Sequence, residues 1–404
     1  MNFPKKQFRR LATLKKACFP KTSAALFISL ALVSGVGANA APRGNSYFVY
    51  VGTYTHHASK GIYLYRFSPS TGEVRPLGLA AETASPAWLI VHPSHRFLYA
   101  ANEYGGQGEA GNTITAYASN AQTGRLTFLN KVSSKGVGPC HLAIDKTGAI
   151  LVAANFGSGS VAAFPIHRDG TLGEASGFDQ HHGSSVDPLR QAGPHAHCVV
   201  ISPDNRFVLA ADIGLDRIFV YRLNVARGSL EPSNTPFVAL HPGWGPRHLA
   251  FHPNGKVLYL ISEMGSKLTT FDYDTAEGTL KEIQTISTLP EGFSGKSTAA
   301  EIQADRAGRF VYDSNRGDDS VGVFAIDGNN GRLSPVQFIS TEGKTPRSFA
   351  LDPTGEYLFA ANQNSASIVL FRVDPATGRL TPAGTVLKDA PEPSSVVFVA
   401  GPTR

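Results

Sequence analysis

The stretch RFLYAAN (Arg96–Asn102), entered through the turn residue His95, returns as EYLFAAN (Glu356–Asn362) behind Gly355. Between them lie four more copies of the same length: Ala149–Asn155, Arg206–Asp212, Lys256–Ser262 and Arg309–Asn315, preceded by Gly148, Asn205, Gly255 and Gly308. Each is rich in β-branched, aromatic and aliphatic residues and ends in Asn, Asp or Ser, the pattern of a strand between two turns. A second landmark has the same period. Glycines 72, 124, 170, 228, 278, 331 and 378 are each followed two residues later by Leu or Val, at spacings of 52, 46, 58, 50, 53 and 47. Seven units of about fifty residues, each holding about four short strands and no helical periodicity, predict an all-β fold: a seven-bladed β-propeller of four-stranded antiparallel blades. The seventh copy is divided. Tyr47–Thr53 and its hairpin open the chain and Pro393–Val399 close it, so one blade is expected to draw strands from both ends and close the ring.

Composition narrows the classes. With 41 Gly, 26 Pro and 17% charged residues in 404, the chain is neither disordered nor a coiled coil. The net charge of +6 belongs to the start: residues 1–40 hold seven Lys or Arg and no acid, leaving 30 bases against 31 acids in the rest. A folded body so nearly neutral offers no basic stripe, and no nucleic-acid partner is expected. Residues 1–23 are basic, Ala24 to Gly37 are apolar, and Ala38-Asn39-Ala40 is a small-x-small cleavage pattern. We therefore expect a signal peptide over 1–40, a propeller over 41–404, and a periplasmic or secreted product. The apolar run is shorter than the ~20 residues that span a bilayer, so no stable membrane anchor is expected after cleavage. Cys140 and Cys198 alone remain in the mature chain, as buried thiols or as one pair. No regular ligand spacing accompanies the histidines, including His181-His182 in a long polar loop, and neither metal nor organic cofactor is expected.

Positions that only build a scaffold should look alike in every copy, so unlike polar residues at one register mark grafted chemistry. Eight residues before each turn residue stand Ala87, Cys140, His197, Arg247, Ala300 and Arg347, with Ser394 in the divided copy. One residue later come Trp88, His141, Cys198, His248, Glu301, Ser348 and Ser395. Directly after the Asn, Asp or Ser stand Glu103, Phe156, Ile213, Glu263, Arg316 and Gln363. If one strand runs along the channel and the next returns beside it, the start of the first and the end of the second meet on one face of the ring. His197, Arg247, Glu263 and Arg316 would then converge. Two guanidiniums suit a carboxylate or a developing oxyanion, and an imidazole or carboxylate can move a proton. The set suits opening or closing a lactone. Arg247 with Glu263 equally fits a structural ion pair between strands, and His141, His248 and Trp88 read more simply as core.

Several blocks resemble the seven-bladed lactonase family, which includes propeller-type 6-phosphogluconolactonases and the carboxymuconate lactonizing enzyme: Tyr50-Val51-Gly52-Thr53-Tyr54-Thr55, Gly193-Pro194-His195-Ala196-His197, Gly245-Pro246-Arg247-His248, Ser287-Thr288-Leu289-Pro290 with Ala299-Ala300-Glu301-Ile302, Ser314-Asn315-Arg316-Gly317 and Thr345-Pro346-Arg347. The resemblance covers about residues 47 to 400. It implies a catalytic set of His197, Arg247, Glu263 and Arg316, the four already singled out by register. Glu301, Arg347, His195 and Glu103 are expected to contact substrate. The implied activity is hydrolysis of a small-molecule sugar-acid lactone, with Arg247 and Arg316 on the carbonyl oxygen or an anionic substituent, Glu263 activating water and His197 passing a proton to the ring oxygen, the choice of base between Glu263 and His197 being left open. Export points away from a phosphorylated substrate. Muconate-type cycloisomerisation and a non-catalytic binding propeller are the alternatives, and the oligomeric state is left open. Ser262-Glu263-Met264 and Gln303–Gly308 depart from the family's usual Asn-Glu-Leu and Ser-Pro-Asp-Gly.

Overall fold

The computed structural model describes residues 46–104 and 111–402. The expected leader and Cys18 lie outside the described residues. Among those residues there are seven four-stranded antiparallel sheets and no helix. The seven innermost strands are Pro86–Val91, Pro139–Ile144, Ala196–Ile201, Pro246–Phe251, Thr298–Ala304, Pro346–Leu351 and Pro393–Ala400. The last of these pairs with Tyr47–Thr53, from Tyr47 opposite Ala400 to Thr53 opposite Pro393. The blade made from both ends of the chain is therefore real, and its strands Gly61–Ser68 and Glu73–Glu82 complete it.

The repeated runs form the second strands, buried from their second residue onward on both faces between neighbouring blades. Their turn residues His95, Gly148, Asn205, Gly255, Gly308 and Gly355 all have φ between 58° and 76°. Gly, Asn and His tolerate that left-handed geometry better than β-branched residues do, which explains why the turn recurs.

The other repeated glycine joins blades. Gly124, in the outer hairpin of one blade, accepts a 2.6 Å hydrogen bond from Tyr50 on the blade before it. Tyr99, Tyr259 and Tyr312 reach Gly170, Gly331 and Gly378 in the same way at 3.0–3.1 Å. A Cβ on Gly378 would stand 2.5 Å from the Phe310 ring, at φ +71°. Gly378→Ala is expected to lower stability by more than the ~1–2 kcal/mol that the left-handed backbone alone costs. Gly384 has φ +73° and open space around it, so its alanine variant isolates the backbone cost. Equal melting temperatures for the two variants would refute the role of blade contact.

The Asn that ends four of the six runs also has a local job. Asn155, Asn315 and Asn362 donate from Nδ2 to the carbonyls of Ser134, Thr288 and Thr341, pinning the segment that crosses from the preceding blade. Asn102 does the same to Ala84. The next residue is thereby held at the rim of the channel.

Candidate active site

Two of the sequence registers are locked side by side by one repeated backbone bond. The N–H groups of Glu103, Phe156, Ile213, Glu263 and Gln363 donate to the carbonyls of Ser85, Gly138, His195, Gly245 and Thr345. Each acceptor lies two residues before a member of the first register. The start of an inner strand and the end of the next strand do share one face.

A β-bulge falls at the first register in every blade, as between Pro246 and His248 or Pro346 and Ser348. Bulges re-aim side chains, and here they sort two adjacent residues to opposite sides of a constriction. Ala87, Cys140, His197, Arg247, Arg347 and Ser394 line that narrow waist. On one side opens a pocket of about 390 Å³, lined by His197, Glu263, Arg316, Arg347, Glu103 and the loop residue Arg190, with Tyr54, His56, Tyr104, Phe156, Thr298 and Gln363 around them. On the other side is a wider mouth of about 540 Å³, floored by Trp88, His141, His248, Glu301, Ser348 and Ser395.

At the centre of the first pocket is the carboxylate of Glu263, held by three guanidiniums. Arg247 donates through Nε to Oε2 at 3.0 Å, Arg316 reaches the same oxygen at 2.8 Å, and Arg190 donates to Oε1 at 2.6 Å. Burial alone would raise this carboxyl's pKa, but Arg316, Arg247 and Arg190 outweigh it and hold it far below the usual carboxylate range. Such a group is ionised and a weak base. Arg247 is 2% exposed at its side chain, against 14% for Arg316 and 18% for Arg347. Its Nη1 is further committed to the Ala300 carbonyl at 2.6 Å. Arg247 thus braces Glu263 from behind, while Arg316 and Arg347 face the pocket. Burial pushes Arg247 down to about 10, with Arg316 and Arg347 adding to the shift, so it remains charged at neutral pH.

His197 borders both waist and pocket, and its buried Nδ1 has no hydrogen-bond partner. Burial first, then Arg247 and other nearby cations, lowers its pKa well below the ordinary value. Its imidazole is neutral at pH 7. Opposite, Glu103 accepts a 2.6 Å bond from the Tyr54 hydroxyl and lies 3.9 Å from Arg347, whose guanidinium sits over the Tyr54 ring.

Five of the eight candidates therefore line one pocket, with Arg247 behind them. Two do not. Glu301 faces the opposite mouth because the bulge turns its register away. His195 stacks on Phe156 and bonds its backbone carbonyl, beside the pocket rather than in it. The pair His181-His182 also divides: His182 is exposed, but His181 is buried between Asp212 at 2.6 Å and the Tyr221 hydroxyl at 2.8 Å. Cys140 and Cys198 are separate buried thiols. No group of three His, Cys, Asp or Glu among the described residues is arranged to hold a metal ion.

Among the pocket residues that the sequence reading did not assign to the site, Tyr54 and Arg190 contact its glutamates. Tyr54 directly follows Thr53 and is the divided blade's member of the third register. Arg190 arrives on the insertion behind the longest repeat spacing, 58 residues. There Asp187 caps the Leu189 and Arg190 amides, and Gln191 is tied to Ile213 and Asp216.

The family described as "Lactonase, 7-bladed beta-propeller" matches residues 48–398. The chain belongs to this family. A 6-phosphogluconolactonase of Bacillus subtilis is 36% identical over 307 residues, 76% of this chain and 85% of the relative. Among solved structures, the periplasmic gluconolactonase of Pseudomonas aeruginosa is 36% identical with a TM-score of 0.83, covering 88% of this chain and all of that one. A putative 6-phosphogluconolactonase of Bacteroides fragilis is likewise 36% identical, with a TM-score of 0.81 over 88% of this lactonase and 98% of its own chain.

Proposed function

We propose that this lactonase hydrolyses a sugar-acid lactone in the pocket above the waist, with His197 taking the proton of the attacking water. The observation that carries this division of roles is the triple arginine cage on Glu263. Burial and neighbouring cations lower the pKa of His197 as well, but Glu263 has both carboxylate oxygens committed to guanidiniums, whereas His197 is neutral at pH 7 and has a ring nitrogen, Nδ1, without a hydrogen-bond partner. Glu263 serves as the anchor that orients Arg316, and Arg316 with Arg347 stabilises the oxyanion that forms when water adds to the lactone carbonyl. The tetrahedral intermediate then collapses, breaking the C–O bond of the ring, and the departing alkoxide takes the proton back from His197. Four arginines against two glutamates leave the pocket positive, which suits an acyl carbon gaining negative charge. The periplasmic relative and the basic-apolar leader support an exported enzyme, and a non-phosphorylated aldonolactone is the substrate this location favours.

Ring opening of glucono-1,5-lactone by the mature chain, followed by acid release, tests the reading. His197→Ala is expected to lower kcat by about 10²–10⁴-fold and Arg316→Ala by about 10²–10³-fold. Equal rates in wild type and both variants would end it. The same panel run on the 6-phosphorylated lactone decides whether export or pocket charge sets preference.

A further inference from the structure

The wider mouth holds a cluster the proposed reaction does not use. His248 is 3% exposed and Glu301 is 3% exposed, yet they form a directed chain toward the pocket. Glu301 Oε1 lies 3.2 Å from His248 Nδ1 and also accepts the Ile302 amide at 3.1 Å. His248 Nε2 lies 3.2 Å from Arg247 Nη1. Arginine has no acceptor to offer. Nε2 must therefore carry the lone pair, and the ring proton must sit on Nδ1, pointing at Glu301. Ser348 donates to the second carboxylate oxygen at 3.2 Å.

Resting on the function proposed above, we propose that Glu301 and His248 are positioning residues that hold Arg247, and through it Glu263 and Arg316, from the far side of the waist. Glu301 selects the His248 tautomer, and that tautomer accepts an Arg247 proton. Neither residue lines the pocket assigned to substrate: Glu301 faces the other mouth, and His248 lies between that mouth and the waist.

The chain is sensitive to protons. Protonating Nε2 would replace an acceptor by a donor against a guanidinium, and neutralising Glu301 would weaken its hold on Nδ1–H. Burial raises Glu301 to about 7, against the lowering influence of Arg247 and His141. His248 is lowered by burial and by Arg247, Arg347 and Arg316, and raised by Glu263. The other groups around the pair are His141 and His197, each with its ring centroid 5.1 Å from that of His248. Cys198 lies beyond His141, and Arg306 stands on the wall of the mouth.

The test is the pH dependence of kcat on glucono-1,5-lactone between pH 5.5 and 8. Wild type is expected to lose activity as pH falls through about 7. Glu301→Gln is expected to be roughly tenfold slower at pH 8, as for other carboxylates that orient a histidine, and to lack the acid limb. His248→Gln keeps a carbonyl where Nε2 lies; it should stay within about threefold of wild type and also lack the limb. Melting curves confirm that both variants fold. A folded Glu301→Gln with the wild-type rate and limb would overturn the proposal, as would a folded His248→Gln no faster than His248→Ala. Nitrogen NMR of the histidine rings reads the tautomer without any substrate: an Nε2–H ring at His248 refutes the chain. Failure of wild type to open any lactone would instead sink the function on which this rests.

Discussion

Glu263→Ala is expected to be the most damaging single substitution in the molecule. It removes the one carboxylate on which Arg190, Arg247 and Arg316 converge. Arg190 is partly exposed and can turn to solvent, but Arg247 is fully buried and would be left without a counter-ion. Breaking a buried pair from one side typically costs about 3–5 kcal/mol, a large share of the ~5–15 kcal/mol that holds a domain together. Arg316 would lose its orientation as well, so any soluble Glu263→Ala is expected to lose more than the ~10²-fold assigned to one oxyanion donor. Replacing both partners, as in Glu263→Leu with Arg247→Leu, removes the stranded charge and should recover much of the stability without the activity. A melting temperature for Glu263→Ala within a degree or two of wild type would contradict the account.

The pH dependence of stability carries opposite signs at the two buried glutamates. Glu263 is depressed below its unfolded value of 4.5, so its contribution is complete above that pH and fades only in strong acid. Glu301 is raised from 4.5 to about 7, so its contribution is complete below pH 4.5 and fades as pH rises toward and through 7.

The second large effect is expected from the C-terminal strand. Removing residues 393–404 deletes the innermost strand of the blade that begins the chain and leaves Tyr47–Thr53 unpaired on its inner side. Val396 and Val399 are buried there, and Val397 and Phe398 pack against neighbouring core clusters. At about 1.5–3 kcal/mol per buried side chain of this size, with less for those partly exposed, the loss approaches the whole stability of the fold. We expect insoluble or unfolded protein, whereas removal of 401–404 alone should leave the melting temperature nearly unchanged. A folded, cooperatively melting chain lacking 393–404 would show that the ring does not need its closure.

The amino-acid sequence by itself determined the architecture, because turns that need a left-handed residue at His95, Asn205 or Gly308, and glycines that must approach a neighbouring blade, leave marks at every repeat. It also marked His197, Arg247, Glu263 and Arg316, which break an otherwise regular pattern; three of them line one pocket and Arg247 braces Glu263 behind it. What it could not convey is the direction of neighbouring side chains. Arg247 and His248 are consecutive, as are Ala300 and Glu301, and the bulge decides that Arg247 lines the waist while His248 and Glu301 reach the far mouth. That is why Glu301, grouped with the site by sequence, stands behind it. Charge balance was likewise hidden. Arg190 comes from the insertion behind the longest repeat spacing, and its meeting with Glu263, 73 residues on, exists only once the blades between them have packed. That third guanidinium joins Arg247 and Arg316 in outweighing burial and holding the Glu263 carboxylate ionised, which is the basis for proposing it as an anchor.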